Sequence, residues 1–533
     1  MSSSKTTFWI IGTLLLLTGL RMVLAANVGL SPDEAYYYLW SERLDWAYYS
    51  KGPGVAFAIR LGTEVLGPTE LGVRLLSPLL ALGSSILLFV FAKRLYGLAT
   101  AVGVVVLVNA LPIFNVGGVV MTIDPLSIFF WIAATLTFWL ALERLPRFTV
   151  WWPATGFLIG LGFLCKYTNA FQLLSLVLVL ALNRRHRVQL LRPGFATLLA
   201  AFCLGLIPPI LWNKENGWIT LVHLLDRGGI STGGTWRPLE IFEFLGVHLG
   251  VYSPILFVGM VIAGVAAVKE ARSHFRPFFL LCFSLPIILV YFALSLKQAG
   301  EANWTAPGFV TLSLVTAAYW TPRLSSPLVR KWAMAGVALS LALTFVLLCS
   351  DLVRMAGVPW PYKSDPGGRL RGWETAAREI AELRRELEES LETEVFLIAN
   401  RYGTASALAF YLPEKRLEGP GHPPIYTPGG AEIKNQFAFW PRYDEFVLMG
   451  GESPSRLHEE YTEEAGVNPF VGRTAMMITD DIKADGVSPK SPFEVRRSFE
   501  GWERLGDLVI NRRGLVVRRY RLFVCFDYKT PDL

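Results

Sequence analysis

Long apolar stretches constrain the fold of this chain more than any other feature of its sequence. A helix of about 20 apolar residues crosses the hydrocarbon core of a bilayer, and such stretches recur between residues 8 and 350. Only 17% of the 533 residues are charged, whereas roughly a quarter are charged in soluble proteins. We therefore predict membrane spans near residues 8–27, 72–92, 98–116, 124–142, 194–212, 250–268, 277–295, 305–321 and 332–350.

The apolar stretch 153–183 is interrupted by Lys166. Because an uncompensated charge at the centre of a bilayer is costly, we predict two spans with Lys166 at the turn between them, which makes about eleven in all. The stretch 8–27 follows Lys5 and is long for the core of a signal peptide, so we expect it to be a retained span.

Basic residues between the spans predict the orientation of the chain. They form five groups that fall on one side if the spans alternate, and by the positive-inside rule that side is cytoplasmic. The groups are Lys93/Arg94, Arg144/Arg147, Arg184/Arg185/Arg187/Arg192, Lys269/Arg272/Arg276 and Arg323/Arg330/Lys331. This topology explains the net charge of +7 without a nucleic acid partner, and it predicts a multi-pass protein of the cytoplasmic (inner) membrane.

Two domains follow from the same pattern. Residues 1–350 are predicted to form a transmembrane domain with outer loops at 28–71 and 213–249, and residues 351–533 an extracytoplasmic domain facing the periplasm or exterior.

The C-terminal domain is predicted to be a small α/β domain. Apolar residues at helical spacing between 373 and 391 indicate an amphipathic helix, and the run Glu394 to Ala399 indicates a buried strand. Further short apolar runs around 446–449, 475–478 and 522–526 are expected to be strands.

The first outer loop is rich in acidic and aromatic residues. Ser31, Pro32 and Glu34 form the pattern of a helix-capping box, so Glu34 is more often a cap than a catalytic group. A contact between Glu34 and the acceptor or the sugar is the alternative. Asp33 is the candidate for chemistry, because adjacent helical residues point about 100° apart and the two carboxylates are not expected to act on one atom. Tyr37 and its aromatic neighbours fit either sugar contacts or an interfacial belt, and the belt is the more common case.

Three charged residues lie at predicted outer boundaries of the membrane. Asp124, followed by Pro125, is either a helix N-cap or, together with Asp33, a second acid or metal ligand. Lys51 and Lys166 would neutralise a phosphate at headgroup depth, or they would simply snorkel to the interface.

Six other side chains in predicted outer loops could contact the acceptor, the sugar or a phosphate: His223, Arg227, His248, Glu301, Asn303 and Trp304. The two histidines are widely spaced, which is weak evidence for metal binding. A divalent metal is therefore left open.

Several motifs at these positions resemble one family. The sequence is similar to bacterial membrane glycosyltransferases of the protein O-mannosyltransferase and lipid A aminoarabinose transferase superfamily, which share the C-type (GT-C) fold. The matching motifs are PDEAYYYLWS (Pro32–Ser41), LDWAYYSKGPG (Leu44–Gly54), IDPLSIFFW (Ile123–Trp131), GLGFLCKYTN (Gly160–Asn169) and EANWTAP (Glu301–Pro307).

The resemblance implies a GT-C-like α-helical fold and a sugar transfer on the outer face of the membrane. The donor would be a polyprenyl-phosphate-linked sugar and the acceptor a lipid, a glycan or a protein, with inversion at the anomeric carbon. Asp33 would be the catalytic carboxylate, and Lys51 and Lys166 would hold the carrier phosphate. Many relatives have Arg where Tyr36 stands and Pro where Gly52 stands.

The main alternative is a transporter or flippase of lipid-linked sugars. Such proteins often have inverted repeats and broken helices, neither of which is evident in the sequence, and large outer loops favour an enzyme. No nucleotide cofactor is expected, because the implied donor is already in the membrane.

Overall fold

A computed structural model describes most of the chain. The described residues are 3–227, 236–429, 433–444, 468–480 and 497–529.

Helices dominate the described residues. In chain order they are α1 (Ser3–Asn27), α2 (Pro32–Ser41), α3 (Gly54–Leu66), α4 (Glu70–Arg74), α5 (Leu76–Tyr96), α6 (Leu98–Ala110), α7 (Pro112–Gly117), α8 (Ile123–Glu143), α9 (Trp151–Cys165), α10 (Phe171–Leu182), α11 (Pro193–Leu204), α12 (Ile207–Glu215), α13 (Ile219–Arg227), α14 (Glu240–Val251), α15 (Pro254–Glu270), α16 (Phe275–Leu294), α17 (Ala306–Trp320), α18 (Pro327–Leu348), α19 (Ser350–Met355), α20 (Trp373–Leu391) and α21 (Tyr402–Tyr411). Short 3-10 helices span Tyr167–Ala170, Arg187–Leu191, Ala302–Trp304, Thr321–Ser325, Tyr362–Ser364, Pro366–Leu370 and Gln436–Phe439. The strands are β1 (Val395–Ala399), β2 (Thr474–Thr479), β3 (Phe499–Arg512) and β4 (Leu515–Tyr528).

The chain divides into two compact units. The first contains Met1–Ala26 and Asp45–Leu348, and the second contains Asn27–Leu44 and Cys349–Leu533. The boundary at residue 348 lies near the division predicted at residue 350. Residues 28–44, in contrast, were expected in an outer loop of the first domain.

The first unit contains the membrane-spanning helices of a multi-pass protein. In the described part of the chain, five single helices are long and apolar enough to cross a bilayer, or seven spans exist if each of two bent pairs is counted as one. The five are Ser4–Asn27, Glu70–Tyr96, Ile123–Glu143, Phe275–Leu294 and Pro327–Leu348. Every predicted stretch overlaps a helix, but the count of about eleven stays a prediction.

Two apolar helix pairs are sharply bent, as in a broken span or a re-entrant loop, which the sequence analysis did not anticipate. Helices α11 and α12 meet at 42°, and α14 and α15 meet at 108°. Proline lies in the first turn of both α12 and α15, where it cannot continue a preceding helix. Ser253, just before α15, has a φ of 62°. Broken helices are therefore present, and their expected absence no longer argues against a transporter.

Close packing of small and aromatic residues holds the first unit together. The rings of Trp139 and Phe279 lie 5.0 Å apart and edge to face. Gly156 of α9 lies so close to α11 that a Cβ atom there would be 1.9 Å from the Leu198 carbonyl oxygen. Small residues allow such close approaches between membrane helices.

The second unit is built on a four-stranded sheet, which confirms a small C-terminal sheet domain. The strand order is β1-β2-β4-β3, in which β1 and β2 are parallel and the other pairs are antiparallel. The predicted helix 373–391 is α20, and the predicted strands at 394–399, 475–478 and 522–526 coincide with β1, β2 and β4. The expected strand at 446–449 lies outside the described residues.

Helix α2 belongs to the second unit because its aromatic face is buried there. Tyr36 stacks with Phe437 at a ring distance of 6.1 Å and contacts Tyr402 at 4.6 Å. Tyr38 meets Phe410 edge to face at 4.9 Å. These buried rings are core residues of the second unit, so the expectation of an interfacial belt is wrong for this helix.

Candidate functional site

Three predicted site residues from separate motifs meet in the first unit. The Lys166 ammonium donates to Asp124 Oδ1 at 2.6 Å and to the Asn303 backbone carbonyl at 2.9 Å. The Asn303 side-chain amide donates to Asp124 Oδ2 at 2.7 Å. Lys166 is only 5% exposed. We call these three residues the Lys166 cluster.

Local sequence explains why each member of the cluster stands where it does. Thr122 is the N-cap of α8, because its hydroxyl accepts the Asp124 N–H. The expected N-cap role of Asp124 is therefore wrong: Asp124 lies in the first turn, which Pro125 also favours. Lys166 lies between α9 and the 3-10 helix Tyr167–Ala170, in extended conformation, which confirms the predicted turn. Asn303 lies in a 3-10 helix just before α17.

The loop that carries Lys51 packs directly against the end of α9, one residue before Lys166. A Cβ atom at Gly52 would lie 2.2 Å from the Leu164 carbonyl oxygen, and one at Gly54 would lie 2.5 Å from Cys165 Sγ. The two glycines are needed because no larger side chain fits this approach. Gly52, which stands where many relatives have proline, is therefore a packing residue.

A second set of contacts, which the sequence analysis missed, fixes the same loop from the other side. Trp212 donates from Nε1 to Asp45 at 2.7 Å, and the Thr220 hydroxyl donates to the Tyr48 carbonyl at 3.3 Å. Tyr48 in turn pairs with Lys51 through two backbone hydrogen bonds. Burial raises the pKa of the Asp45 carboxyl. No local pattern links these residues, because their partners are more than 160 positions away in the chain.

Basic and aromatic side chains from α13 lie near this loop and near the Lys166 cluster. The His223 ring lies 4.6 Å from the ring of Tyr49, and the Arg227 guanidinium lies 5.3 Å from the centre of the Trp304 ring. Burial lowers the pKa of His223, and the charges of Lys51 and Arg227 lower it further. The charges of Lys51 and Arg227 thus act on the same ring, and a region with two such cations is suited to an anion.

His248 has a structural role that the sequence could not reveal. It is 1% exposed, its Nδ1 bonds the Phe244 carbonyl at 2.7 Å and its Nε2 bonds the Thr305 hydroxyl at 2.8 Å. The imidazole thus connects α14 with the start of α17. Glu301 is exposed, and the contacts of the described residues do not bring its carboxylate into the Lys166 cluster.

Asp33, Glu34 and Tyr37 lie on α2 in the second unit. The capping box predicted from Ser31 and Glu34 is present: each side chain bonds the backbone N–H of the other residue, at 3.3 and 2.9 Å. Glu34 is fully buried, whereas Asp33 is exposed. Tyr37 is 8% exposed and packs edge to face on Trp40.

Two further observations concern groups that could hold an ion. Over the described ranges, no three His, Cys, Asp or Glu side chains are grouped closely enough to hold a metal. Arg21, an ionisable residue inside the first predicted span, is buried. The sequence analysis overlooked it, although an ionisable residue in an apolar stretch is a functional signal.

Comparisons with known proteins agree with these motifs. Residues 50–212 match a family model described as dolichyl-phosphate-mannose-protein mannosyltransferase. Over 301 residues the chain is 29% identical to the lipid A galacturonosyltransferase RgtD of Rhizobium johnstonii, an alignment that covers 55% of this chain and 61% of that protein. The chain therefore matches about three fifths of the length of this relative.

Solved structures show the same fold. ArnT from Cupriavidus metallidurans matches with a TM-score of 0.60 in the apo state and 0.59 when bound to undecaprenyl phosphate, at 16% identity and with 98% of each chain covered. The chain is thus similar to the mannosyltransferase family over residues 50–212, and over nearly its whole length it shares the fold of ArnT.

Proposed function

We propose that the protein transfers a sugar from a polyprenyl-phosphate donor to a lipid acceptor at the membrane surface. The observation that carries this proposal is the Lys166 cluster, in which a buried cation is held in one position by residues from two other motifs. A positioned cation stabilises the negative charge that develops on a departing phosphate.

Lys166, Lys51 and Arg227 are the proposed phosphate-binding groups. Two of the three ammonium donors of Lys166 are used by Asp124 and Asn303, which leaves the third for a phosphate oxygen. Asp124 neutralises much of the Lys166 charge, so additional cations are needed to bind a phosphate. Lys51 and Arg227 supply them, and the lowered pKa of His223 keeps that ring neutral at pH 7.

Asp124 is proposed to orient Lys166. Its Oδ1 accepts from Lys166, and its Oδ2 accepts from Asn303 at 2.7 Å and from the Thr122 hydroxyl at 3.2 Å. Both of its oxygens thus already accept hydrogen bonds from other residues of this chain. Asp124 is therefore a positioning residue in this proposal.

Asp33 is proposed as the base, on the strength of the family resemblance. In the reaction the acceptor oxygen attacks the anomeric carbon, its proton passes to the carboxylate, and the bond from that carbon to the phosphate oxygen breaks. Polyprenyl phosphate leaves, and the configuration at the anomeric carbon inverts.

The remaining candidate residues divide into two groups in this proposal. Structural roles are proposed for Glu34, Tyr37 and His248. Contacts with the acceptor are proposed for Glu301 and Trp304.

The proposed acceptor and sugar follow the matched relative. Its name identifies lipid A as acceptor and galacturonate as the sugar, and these are the first substrates to test. Glycan and protein acceptors remain the alternatives, and a requirement for a divalent metal is tested by adding a chelator to the same assay.

The orientation is also a proposal. The five basic groups support a cytoplasmic membrane location with the second unit and the Lys166 cluster facing the periplasm. A fusion after Leu533 of a reporter that is active only in the cytoplasm should be silent. An active reporter would contradict the orientation.

Transfer in detergent separates an enzyme from a flippase. In a strain that lacks this protein, detergent-solubilised membranes should fail to transfer sugar from added polyprenyl-phosphate donor to lipid A, and purified protein should restore transfer. If the protein were a flippase, its loss would not prevent transfer in detergent, because no bilayer then separates the donor from the transferase. Normal transfer in the solubilised extract would therefore contradict the proposed function.

A further inference from the structure

A buried arginine in α1 has no carboxylate partner in the described part of the chain. Arg21 is 3% exposed, and its Nη2 donates to the Asn109 and Asn115 side-chain oxygens at 3.0 and 2.7 Å. Its Nε is buried without a hydrogen-bond partner. Both partners are neutral amides, so the guanidinium keeps its full charge inside an apolar span.

The two amides hold the guanidinium in place. Asn109 donates from Nδ2 to the Ser85 hydroxyl at 3.0 Å, and Asn115 donates from Nδ2 to the Asn109 carbonyl at 2.6 Å. These bonds turn both amide oxygens toward Arg21. A charge that is buried in a membrane and fixed in position, but not neutralised, is a site for an anion.

A cavity of about 40 Å³ lies beside Arg21. Its polar lining consists of Arg21, Ser84, Ser85 and Asn109. By the space that one water needs, roughly 10 to 15 Å³ on this measure, the cavity holds a few waters or one carboxylate group, but no complete sugar.

One residue that lines the cavity is the sequence neighbour of a member of the Lys166 cluster. Pro125, which lines the cavity, directly follows Asp124 in α8. Gly118 also lines the cavity. Its φ of −80° is one that any residue adopts, yet a Cβ atom there would lie 2.8 Å from Arg21 Nε. Glycine is thus required at position 118 by contact with Arg21, and not by its backbone conformation.

We propose that Arg21 binds the carboxylate of a uronic sugar on the polyprenyl-phosphate donor. This inference rests on the proposed function and adds the residue that selects the sugar. The buried Nε–H, which has no hydrogen-bond partner, can donate one charge-assisted hydrogen bond to a carboxylate oxygen, and the adjacent small cavity admits that group while the sugar ring stays outside. The carrier phosphate belongs to the separate cations Lys51, Lys166 and Arg227.

A matched pair of donors tests the proposal. Polyprenyl-phosphate galacturonate and polyprenyl-phosphate galactose differ only in a carboxylate or a hydroxymethyl group at C6. Their affinities for the purified full chain are measured in detergent, without acceptor. We expect the wild type to prefer the uronate about tenfold to a hundredfold, the range of one hydrogen-bonded charge pair.

Arg21→Gln should reduce this preference to near unity and leave galactose binding unchanged. Gly118→Ala keeps Arg21 but adds a methyl group against it, so it should reduce the preference for the uronate by a smaller factor. This variant replaces Arg21→Gln in the test if Arg21→Gln does not fold. Arg147→Gln, a change at an exposed arginine, is the control and should keep the full preference.

Equal wild-type affinities for the two donors would overturn the proposal. An equal loss of affinity for both donors in Arg21→Gln would also overturn it, because a purely structural role of Arg21 predicts that result. Failure of the proposed function is distinguishable: in that case neither sugar reaches lipid A, although the Arg21-dependent preference in binding can still be measured.

Discussion

Removal of the Lys166 charge should destabilise the protein more than removal of the whole ion pair. Lys166→Met keeps most of the side-chain volume but leaves the Asp124 carboxylate with only Asn303 at 2.7 Å and Thr122 at 3.2 Å. The side chains of the pair are 6% and 16% exposed, so water screens the remaining charge poorly. Breaking a buried pair in this way costs about 3–5 kcal/mol.

The double variant Lys166→Met, Asp124→Asn provides the comparison. It carries no uncompensated charge, so it should melt at a higher temperature than Lys166→Met alone. Lys331→Met, a change at an exposed lysine, should melt like the wild type. The assay is thermal unfolding in detergent followed by the fluorescence of the 17 tryptophans. If the two substitutions lower the melting temperature additively, the pair is not coupled and the described cluster is refuted.

Three further predictions address other parts of the account. Asp33→Asn should lower sugar transfer by roughly 10² to 10⁴ with little change in stability, whereas Glu34→Gln, which retains a capping side chain, should be milder; the reverse order in transfer assays would mean that the roles are exchanged. Gly52→Ala should lower both the melting temperature and donor affinity, because its Cβ atom would meet the Leu164 carbonyl oxygen at 2.2 Å; unchanged values would show that the loop is not held there. The pKa of His223 is lowered by burial, so the unfolded chain binds the proton first as the pH falls below about 6.5; stability should decline below that pH, and His223→Gln should reduce the decline in a pH series of melting curves.

The sequence predicted features that depend on local pattern. Apolar runs indicated the helices, the interruption at Lys166 indicated a break between α9 and α10, and the spacing in Ser31 to Glu34 indicated the capping box. Each of these signals lies within a window of a few turns. The energetic preference that creates each feature is therefore visible in the sequence itself.

Contacts between distant residues were not predictable in this way. Asp124 and Asn303 are separated by 179 positions, and no local rule says that a carboxylate at one helix start will meet an amide before another helix. The resemblance named both motifs but not their hydrogen bonds. Tyr36 illustrates the same limit. A tyrosine side chain fits an interfacial belt and a protein core equally well, and only the packing of Tyr36 on Phe437 decides between them.

Arg21 is a case in which the signal was present. A charged residue within an apolar stretch is costly unless it is compensated. The reasoning that predicted a turn between two spans at Lys166 therefore also marks Arg21 as unusual. The neutral partners Asn109 and Asn115, which distinguish an anion site from an internal ion pair, are visible only in the structure.

The most direct test of the central claim is the stoichiometry of sugar transfer by the purified protein in detergent. The protein is incubated with polyprenyl-phosphate galacturonate and lipid A, and the products are measured by mass spectrometry. We predict that one polyprenyl phosphate is released for each sugar joined to lipid A, and that Lys166→Met slows both together. A donor that remains intact in the presence of folded wild-type protein and acceptor would contradict the account.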